Sequence, residues 1–579
     1  MRGAPVPGQG LTIKKRSLSI ENNNLPAKLH PKLQEIFAAR GVAGPDQLNY
    51  RLDALLPNST LGGLARAAEL LADAVIHQQR ILVVGDFDAD GATGSALALR
   101  VLRAMGATSV EFCVPDRFRF GYGLTADLAR SFAGSRPDLV MTVDNGVSSI
   151  EGVSRTRQQG ARVIVTDHHL PGPELPAADA LVNPNLPDDP FPSKALAGVG
   201  VVFYVMAAVR RRLDRMGRAV RLSDWLDLVA LGTVADLVPL DHNNRVLVAQ
   251  GLARIRRGQG NPGIRALMDV AGRDLGRVSA ADLGFAVAPR LNAAGRLEDM
   301  GVGIQCLLTD DYPQARELAA ELDRLNRERR QLQSDMEEQA HDIVASLRQR
   351  ADWGQGTSLC LFDPGWHQGV VGLVASRMKD ACHRPVIALA PAGDGSSLLK
   401  GSARSIRGFH IRDALAEVDA LHPGLMCSFG GHAMAAGLSL ERDHVERFAQ
   451  AFEAAAARCL DPEQLGQVVF TDGGLDPDQI GIILADLIAE SGPWGQGFPE
   501  PLFDDCFDVD DLRPVGHGHT RLQLIHQAGG RPVEAIAFGM DSERVESMGP
   551  SLRVLYHLGV NEYRGLRKAQ LVVQHLLPA

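Results

Sequence analysis

Short apolar runs alternate with helical patterns between residues 80 and about 240. That alternation predicts an α/β domain with a mainly parallel sheet, because a strand that returns parallel needs a crossover connection. Ligands bind beyond the carboxyl ends of the strands in such sheets, and each run here ends in polar residues. The runs are Ile81–Val84, Val110–Val114, Leu139–Val143 and Arg162–Val165.

Three further patterns follow in the second half of the chain. The stretch from Pro313 to about Arg348 has no Gly or Pro after its start and repeats apolar residues at helical spacing, which predicts a long, charged helix that links two domains. A second α/β pattern begins near residue 355, with predicted strands at Leu359–Phe362 and Pro385–Leu389. A Pro/Gly-rich boundary at 492–501 precedes a predicted small β-barrel. Its predicted strands are Arg521–Ile525, Val533–Phe538, Leu552–Leu558 and Ala569–Leu576.

These patterns divide the chain into five predicted parts. Residues 1–75 form a leader with helical segments at Pro31–Gly41 and Leu64–Gln78. The first α/β domain covers 76–305, the linking helix 306–352, the second α/β domain 353–462 and the barrel 463–579. A chain of 579 residues is long enough for several separate cores.

Composition narrows the class of protein. Hydrophobic residues make up 45% and charged residues 22%, as in ordinary globular proteins, and the net charge of −9 means that any polyanion site must be a local basic patch. The basic runs 210–221 and 254–257 are interpreted as solvated faces. Seven cysteines without a Cys-x-x-Cys pair favour a reducing cytosol. Met1–Asn24 has no apolar core of a signal peptide, and no apolar run is long enough to cross a membrane.

Three carboxylates at alternate positions follow the first apolar run. In extended backbone Asp86, Asp88 and Asp90 would share one face and repel each other, which a hard cation such as Mg²⁺ or Mn²⁺ would resolve. Gly91 and Gly94 would then allow a tight turn into a helix that covers residues 96–105.

Other readings of this stretch stay open. It resembles the opening of a calcium-binding EF-hand loop, but Leu97 stands where that loop needs its bidentate Glu. It contains glycines like a phosphate-binding loop, but no Lys-Ser/Thr follows them. An acidic surface turn without a ligand is the third alternative.

Three more acidic motifs follow in the same predicted domain. Asp144 begins an Asp-Asn-Gly turn, and Asp167 begins an Asp-His-His triplet with His168 and His169 at the end of a predicted strand. Adjacent side chains diverge, so one histidine can ligate a metal while the other faces a substrate oxygen. Asp236 lies in an apolar run, where an unpaired carboxylate would be costly.

The four motifs in this order resemble the DHH phosphoesterase superfamily. The resemblance implies a two-metal site with Mg²⁺ or Mn²⁺, in which Asp144 bridges the ions and Asp88 holds one of them. It assigns Asp90, His168 and Asp236 to the other ion and places His169 at the scissile phosphate. Asp86 and Asp167 would serve as further ligands or support the ligands.

The resemblance continues into basic, glycine-containing segments that suit phosphate contacts. Within the superfamily, the chain resembles the single-strand-specific exonucleases. The resemblance implies a DHH-associated domain at 353–462 and an OB-fold for the barrel. The segments are 117–124, 288–296, 401–405 and 430–437, and the substrate-binding residues that they imply are Arg117, Tyr122, Arg290, Arg296, Ser402, Arg404 and His432.

This resemblance implies a metal-dependent 5′→3′ exonuclease that releases 5′-mononucleotides from single-stranded DNA in repair and recombination. Implied partners are a single-stranded-DNA-binding protein and a helicase, with no membrane, in the cytoplasm. The alternatives are a phosphodiesterase of short oligonucleotides or cyclic dinucleotides, a pyrophosphatase, and a scaffold that binds DNA without cleaving it. Residues 465–579 argue against the two other enzymes, and the complete set of matched ligands argues against the scaffold.

Overall fold

The fold is seen in a computed structural model that describes residues 11–19, 24–214, 216–217, 220–348, 356–393, 395–516, 518–563 and 565–579. The chain divides into two compact units. The first unit contains Leu18–Arg327 and Glu490–Glu500, and the second contains the remaining described chain. The leader prediction for residues 1–10 and 20–23 lies outside the described residues.

The first unit is an α/β domain followed by helices. Its strands are β2 (Ile81–Gly85), β3 (Val110–Cys113), β4 (Leu139–Val143), β5 (Arg162–Thr166) and β6 (Ala180–Val182), after β1 (Thr12–Lys15) of the second unit. Its helices are α1 (Pro31–Ala39), α2 (Leu64–Ile76), α3 (Ala89–Ala104), α4 (Ala126–Ser131), α5 (Ile150–Gln158), α6 (Gly198–Asp214), α7 (Leu226–Ala235), α8 (His242–Arg256), α9 (Pro262–Val270), α10 (Ala280–Asp282), the π-helix Leu283–Val287, α11 (Ala288–Leu297) and α12 (Gly301–Leu308).

The predicted parallel sheet is confirmed. Its strands pair in parallel in the order β3-β2-β4-β5-β6. Every residue of β2 and β4 is buried, which explains their continuous apolar sequences. The strand order reverses between β2 and β4. In open α/β sheets, ligands bind at such a reversal, in the crevice beyond the carboxyl ends of the strands.

The local structure after β2 differs from the prediction. Asp86, Asp88 and Asp90 do not lie in one extended segment, because α3 already begins at Ala89 with Asp88 as its N-cap. Gly91 lies inside this helix, where an added Cβ would come 2.6 Å from the backbone nitrogen of Asp86. The glycines therefore permit close packing of the helix against the strand end instead of the predicted turn.

Helix α13 (Tyr312–Arg348) occupies the stretch for which a long helix was predicted. Its first part belongs to the first unit and its last part to the second unit. Residues 349–355, at the end of the predicted link, lie outside the described chain.

The second unit contains the second α/β domain. Its mixed sheet has the order β10-β11-β9-β8-β7, with only β7 and β8 parallel. Both strands predicted here are confirmed within a few residues. The elements are β7 (Leu359–Phe362), α14 (Val371–Cys382), β8 (Val386–Pro391), β9 (Leu398–Arg404), α15 (Ile411–Leu421), β10 (Ser428–Gly431), β11 (Ala435–Glu441) and α16 (Val445–Cys459).

The C-terminal part of the second unit is a closed barrel with the strand order β13-β14-β15-β17-β16, in which only β15 and β17 pair in parallel. This connectivity fits the predicted OB-fold. The sequence patterns missed β13, whose several aspartates have low strand propensity. The elements are β12 (Val468–Thr471), α17 (Ile482–Ser491), β13 (Phe503–Val515), β14 (His519–His526), β15 (Val533–Ala537), α18 (Ser542–Glu546), β16 (Ser551–Tyr563) and β17 (Leu566–Pro578).

Part of the predicted leader is ordered structure. Strand β1 pairs in parallel with β12, which joins the start of the described chain to the second unit. The short, charged sequence of β1 gave no strand signal. Among the described helices none is long and apolar enough to span a membrane.

Candidate metal centre

Carboxylates and histidines from four separate segments meet at the carboxyl edge of the parallel sheet. Asp86 follows β2, Asp144 follows β4, His168 follows β5, and Asp236 caps the end of α7. Parallel strands end at the same edge, so residues far apart in the chain become neighbours there.

The two carboxylates at the start of α3 are held by backbone amides. Asp88 Oδ1 accepts hydrogen bonds from the amides of Asp90 and Gly91, each at 3.0 Å. The carboxylate of Asp90 accepts the amides of Gly198 at 2.6 Å and Val199 at 2.9 Å. These two amides begin α6, so the partial positive charge of that helix end stabilises Asp90 as an anion.

Three groups of side chains could each hold a divalent ion, because the ligand atoms of each group lie within 4.8 Å of one another. Asp144 belongs to two of the groups, which is the arrangement that a bridging ligand requires. Its backbone has a φ of 64°, uncommon for a residue other than Gly, and this aims the side chain at the site. The groups are Asp86, Asp88 and Asp144; Asp90, His168 and Asp236; and Asp144, His168 and His169.

Burial and mutual repulsion give these carboxylates unusual electrostatics. Burial, followed by the charge of Asp88, raises the pKa of Asp90 to about 7. Burial and neighbouring carboxylates also raise the pKa values of Asp86, Asp144 and Asp236 well above the ordinary value. Oδ1 of Asp144 is buried and makes no hydrogen bond among the described residues, although Nε2 of His168 lies 3.0 Å from it. A divalent cation would neutralise the repulsion between the carboxylates and would coordinate the buried Oδ1 of Asp144. Several carboxylate oxygens with one imidazole nitrogen form a donor set that suits Mg²⁺ or Mn²⁺.

Asp167 supports its neighbours rather than facing the cluster. Its carboxylate accepts the amide of Val147 and the amides of His168 and His169, all within 3.0 Å. Oδ1 of Asp167 also lies 2.8 Å from Nδ1 of His169. Burial acts against the ionised form of Asp167, but the hydrogen bond and charge of His169 outweigh it and lower its pKa. Of the two roles predicted for Asp167, the geometry therefore favours support of the ligands over direct ligation of a metal.

His169 lies at the exposed side of the cluster, with 32% of its side chain accessible. Burial lowers its pKa, but Asp167 and the other carboxylates outweigh that effect and raise it to about 9. The hydroxyl of Tyr122 donates to the carbonyl oxygen of Asp144 at 3.0 Å and lies 3.1 Å from Nδ1 of His169. The structure thus brings two predicted site residues from different motifs into contact.

An aromatic residue that the motifs did not mark completes this edge. Phe87 packs against Tyr122 with ring centroids 6.2 Å apart, and the guanidinium of Arg117 lies 4.6 Å from the centroid of Phe87. Burial lowers the pKa of Arg117, and the nearby Asp86 and Asp88 oppose that shift. A half-buried ring beside a cation suits stacking on a base next to a phosphate.

The acidic segments are positioned by three asparagines that were not predicted as site residues. Asn292 Oδ1 accepts the amide of Ala89, the first residue of α3, at 2.7 Å. The side-chain amides of Asn183 and Asn185 donate to the carbonyl oxygens of His169 and His168. The Asn-Pro-Asn sequence directly after β6 was a usable signal, because it lies at the same edge of the sheet.

The two arginines of α11 have different surroundings. Arg290 is buried, and its guanidinium contacts Asp323 at 2.8 Å and the carbonyl oxygen of Ala286 at 2.6 Å. The guanidinium of Arg290 is therefore already paired with groups of the first unit, which argues against its predicted role as a phosphate ligand. Arg296 is half-buried in the last turn of the helix.

The remaining predicted substrate residues lie on the sheet of the second unit. Ser402 and Arg404 are on β9, and Nη1 of Arg404 donates to Oγ of Ser402 at 2.9 Å. An added Cβ at Gly372, near the start of α14, would come 3.0 Å from both side chains. His432 lies in the turn between β10 and β11. A hydroxyl and a guanidinium beside a helix start form a place where a phosphate can bind.

Comparisons with known proteins agree with this architecture. Residues 80–233 match the model of the DHH family N-terminal domain, residues 355–458 match the DHHA1 domain, and residues 471–575 match the RecJ OB domain. The single-stranded-DNA-specific exonuclease RecJ of Dickeya dadantii (strain 3937) is 49% identical over 96% of this chain and 97% of its own length. The enzyme of the same name from Escherichia coli (strain K12) is 47% identical over 98% of this chain and 100% of its own length.

Solved structures show the same relationship. The crystal structure of RecJ in complex with Mn²⁺ from Thermus thermophilus matches with a TM-score of 0.79 and 32% identity. That match covers 95% of this chain and 76% of the other chain. The structure of RecJ in complex with Mg²⁺ from the same organism matches with a TM-score of 0.73 at 32% identity, over 95% of this chain and 75% of that one.

Proposed function

This chain belongs to the RecJ family of single-stranded-DNA-specific exonucleases, and we propose that it degrades single-stranded DNA from the 5′ end to 5′-mononucleotides in repair and recombination. It is a metal-dependent phosphodiesterase that uses Mg²⁺ or Mn²⁺. The observation that carries the proposal is the pair of ligand groups that share Asp144.

We assign the ligands from these groups. Asp86 and Asp88 would hold one ion, and Asp90, His168 and Asp236 the other. Asp144 would contact both ions, because it belongs to the group of Asp86 and Asp88 and its Oδ1 lies 3.0 Å from Nε2 of His168. The bound pair supplies Lewis acidity and neutralises the negative charge that develops at the scissile phosphate. His169 is the proton donor or phosphate contact on the exposed side, and Asp167 fixes its orientation.

Contacts with the DNA follow from the cationic and aromatic groups. Arg117 and Tyr122, together with Phe87, would contact the nucleotide next to the cluster, and Ser402, Arg404 and His432 would bind phosphate. Phosphate contacts position a strand without reading its sequence, so we expect little sequence preference. Arg296, half-buried in the last turn of α11, would provide a further phosphate contact.

The C-terminal barrel would bind the single strand rather than take part in hydrolysis. Phe538 is 52% exposed and packs edge-on against His519. Arg521 and Arg553 of the barrel are paired with Glu534 and Asp504, so stacking is expected to contribute more than charge. We expect a helicase and a single-stranded-DNA-binding protein as partners, because both act on single-stranded DNA. We expect the protein to act in the cytoplasm, where this substrate occurs.

Digestion of DNA labelled separately at each end, single-stranded and duplex, tests the proposal with Mg²⁺ or Mn²⁺ present. We expect early release of the 5′ label from single strands and sparing of the duplex. First release of the 3′ label would contradict the polarity. Activity confined to dinucleotides or cyclic dinucleotides would contradict the substrate class.

A further inference from the structure

A short segment from the C-terminal part of the chain packs onto the first unit close to a metal ligand. This segment, the strap, is residues 493–499, which follow α17 and precede β13 in the chain but belong to the first unit. The sequence predicted a Pro/Gly-rich boundary at 492–501. The structure instead buries part of this stretch, and Phe498 is only 1% exposed.

Aromatic rings anchor the strap. The rings of Trp494 and Phe498 stack with their centroids 5.2 Å apart, and the ring of Phe37 on α1 lies 5.9 Å from the first and 6.2 Å from the second. Nε of Arg40 donates to the carbonyl oxygen of Pro499 at 2.7 Å. Buried rings supply a large apolar contact area, so the strap is a fixed part of this unit and not a loose linker.

The strap contacts the chain just after the metal ligand Asp236. The amide of Leu240 donates to the carbonyl oxygen of Gln496 at 2.7 Å. An added Cβ at Gly497 would come 3.2 Å from Cβ of Pro239, and Gly497 also has a φ of 70°. Glycine is therefore needed here both for the backbone conformation and for the close approach of the two segments.

Arg245 of α8 connects the strap to the same residue. Its guanidinium lies 4.1 Å from the ring centroid of Phe498, and its Nη1 donates to the carbonyl oxygen of Leu240 at 2.8 Å. Arg245 is buried, which strengthens an interaction between a cation and an aromatic ring. Nδ2 of Asn244 holds the carbonyl oxygen of Pro239 at 2.9 Å. Both backbone groups of Leu240 are thus satisfied, one by the strap and the other by a side chain that the strap covers.

The turn between Asp236 and Leu240 depends on such contacts. Leu237 has a φ of 59° and is 67% exposed, so its own side chain does little to hold the turn. A left-handed backbone is an outlier for a bulky residue and persists only where surrounding contacts determine it. Asp236 directly precedes this residue at the end of α7, and its Oδ2 lies 3.4 Å from Nε2 of His168. The position of Leu240 therefore fixes the path of the chain that leaves the ligand.

We propose that the strap is a positioning element for Asp236, acting through Pro239 and Leu240. The inference rests on the ligand role that the proposed function gives to Asp236. That residue belongs to the ligand group of Asp90 and His168. Displacement of the strap should therefore weaken binding of the ion held by this group and leave the other ion bound as before.

Equilibrium binding of Mn²⁺ to the full-length protein tests the inference, with the free ion measured by electron paramagnetic resonance. Phe498→Leu removes the ring beside Arg245, and Gly497→Ala adds a methyl group against Pro239. Each should weaken one of the two bound Mn²⁺ ions by about tenfold, the lower end of what loss of a supporting group costs a metal site. Asp236→Asn should weaken the same ion. At limiting Mn²⁺, kcat should fall while KM for DNA stays unchanged.

Two control variants separate positioning from general loss of stability. Gly258→Ala matches Gly497→Ala, because Gly258 in the same unit has a φ of 69° but an added Cβ there would meet nothing within 4 Å. Phe132→Leu matches Phe498→Leu, because it shortens another buried ring of the first unit. Both controls should bind both ions normally at a temperature at which every variant is folded.

Normal binding of both ions by Phe498→Leu and Gly497→Ala would overturn the inference. Loss of the same ion in Phe132→Leu or Gly258→Ala would also overturn it, because the effect would then follow stability and not position. If Asp236→Asn binds both ions normally, the ligand assignment of the proposed function fails and the inference fails with it. If Asp236→Asn loses an ion but the strap variants do not, the inference alone fails.

Discussion

Nε2 of His168 lies 3.0 Å from Oδ1 of Asp144. The two residues follow different strands, and each belongs to two of the three possible ligand groups. With Asp236 3.4 Å from the same imidazole nitrogen, these residues form the centre of the acidic cluster. An imidazole between two carboxylates with raised pKa values is a donor set that suits a divalent cation.

The first prediction separates the catalytic role of Asp144 from its effect on stability. Asp144→Asn should reduce hydrolysis by more than the roughly 10–100-fold that loss of a supporting group costs, because it would remove the ligand that we propose both ions share. The metal-free variant should unfold at a higher temperature than the metal-free unchanged protein, because one of several buried, mutually repelling carboxyl groups is removed.

Asp138→Asn is the control, because Asp138 precedes the same strand at its opposite end and pairs with exposed Arg80. It should retain activity and gain no stability. Normal turnover by Asp144→Asn in Mn²⁺ would contradict the assignment of a bridging ligand.

The second prediction concerns pH and metal removal. In the metal-free folded protein the Asp90 carboxyl keeps its proton up to about pH 7, whereas its ordinary pKa is 3.8. Its contribution to stability is therefore fully present below pH 3.8 and is lost as the pH rises towards 7. Protein treated with a chelator should become less stable over this range.

Mn²⁺ should raise the melting temperature more at about pH 7.5 than at about pH 5, since it binds the ionised carboxylates and displaces protons. Thermal unfolding at several pH values, with and without Mn²⁺, measures this effect. A stabilisation by Mn²⁺ that stays constant or decreases with rising pH would count against ligation by these carboxylates.

The third prediction tests Asn292 as a positioning residue. Asn292→Ala removes the acceptor for the first amide of α3, the helix that carries Asp88 and Asp90. We expect roughly 10–100-fold weaker activation by Mn²⁺, with little change in KM for DNA. Activity at high Mn²⁺ should recover in part. Asn49→Ala, which removes a side-chain acceptor for the Arg51 amide in the same unit, should behave like the unchanged protein. A rise in KM alone would instead indicate a DNA contact.

The fourth prediction distinguishes two arginines that the sequence placed in one class. Arg290→Ala leaves the partly buried Asp323 with Arg327 as its remaining cationic partner. It should therefore reduce the free energy of unfolding by about 2–3 kcal/mol, less than the roughly 3–5 kcal/mol lost when a fully buried pair is broken. Arg404→Ala should leave stability nearly unchanged and weaken binding of single strands. Chemical denaturation and DNA titration on both variants give the comparison. If Arg290→Ala lost as much DNA affinity as Arg404→Ala without losing stability, the result would support the predicted phosphate contact of Arg290.

The fifth prediction concerns the barrel. Phe538→Ala should weaken binding of long single strands by roughly 1–3 kcal/mol if a base stacks on this exposed ring. Hydrolysis of a very short oligonucleotide should not change. Val515→Ala, at another exposed apolar residue of the barrel, is the control. Unchanged affinity of Phe538→Ala would point to a different face of the barrel.

The sequence by itself determined the parallel sheet, the long helix, four of the barrel strands and the identity of the acidic motifs. Strand and helix periodicities are local properties, and polar residues at strand ends identify the edge where a ligand binds. The sequence did not predict β13, because the aspartates of that strand interrupt the alternation of apolar and polar residues. Pairing within the closed barrel, rather than strand propensity, makes this segment a strand.

Only the tertiary structure decided which oxygens meet and which cations are already occupied. Asp88 caps a helix instead of continuing a strand, Asp167 is surrounded by donors, and Arg290 is paired with Asp323. Asn292 reaches Ala89 across 203 positions of sequence. Such contacts depend on the packing of distant segments, whereas a motif records only residues that are close in the chain.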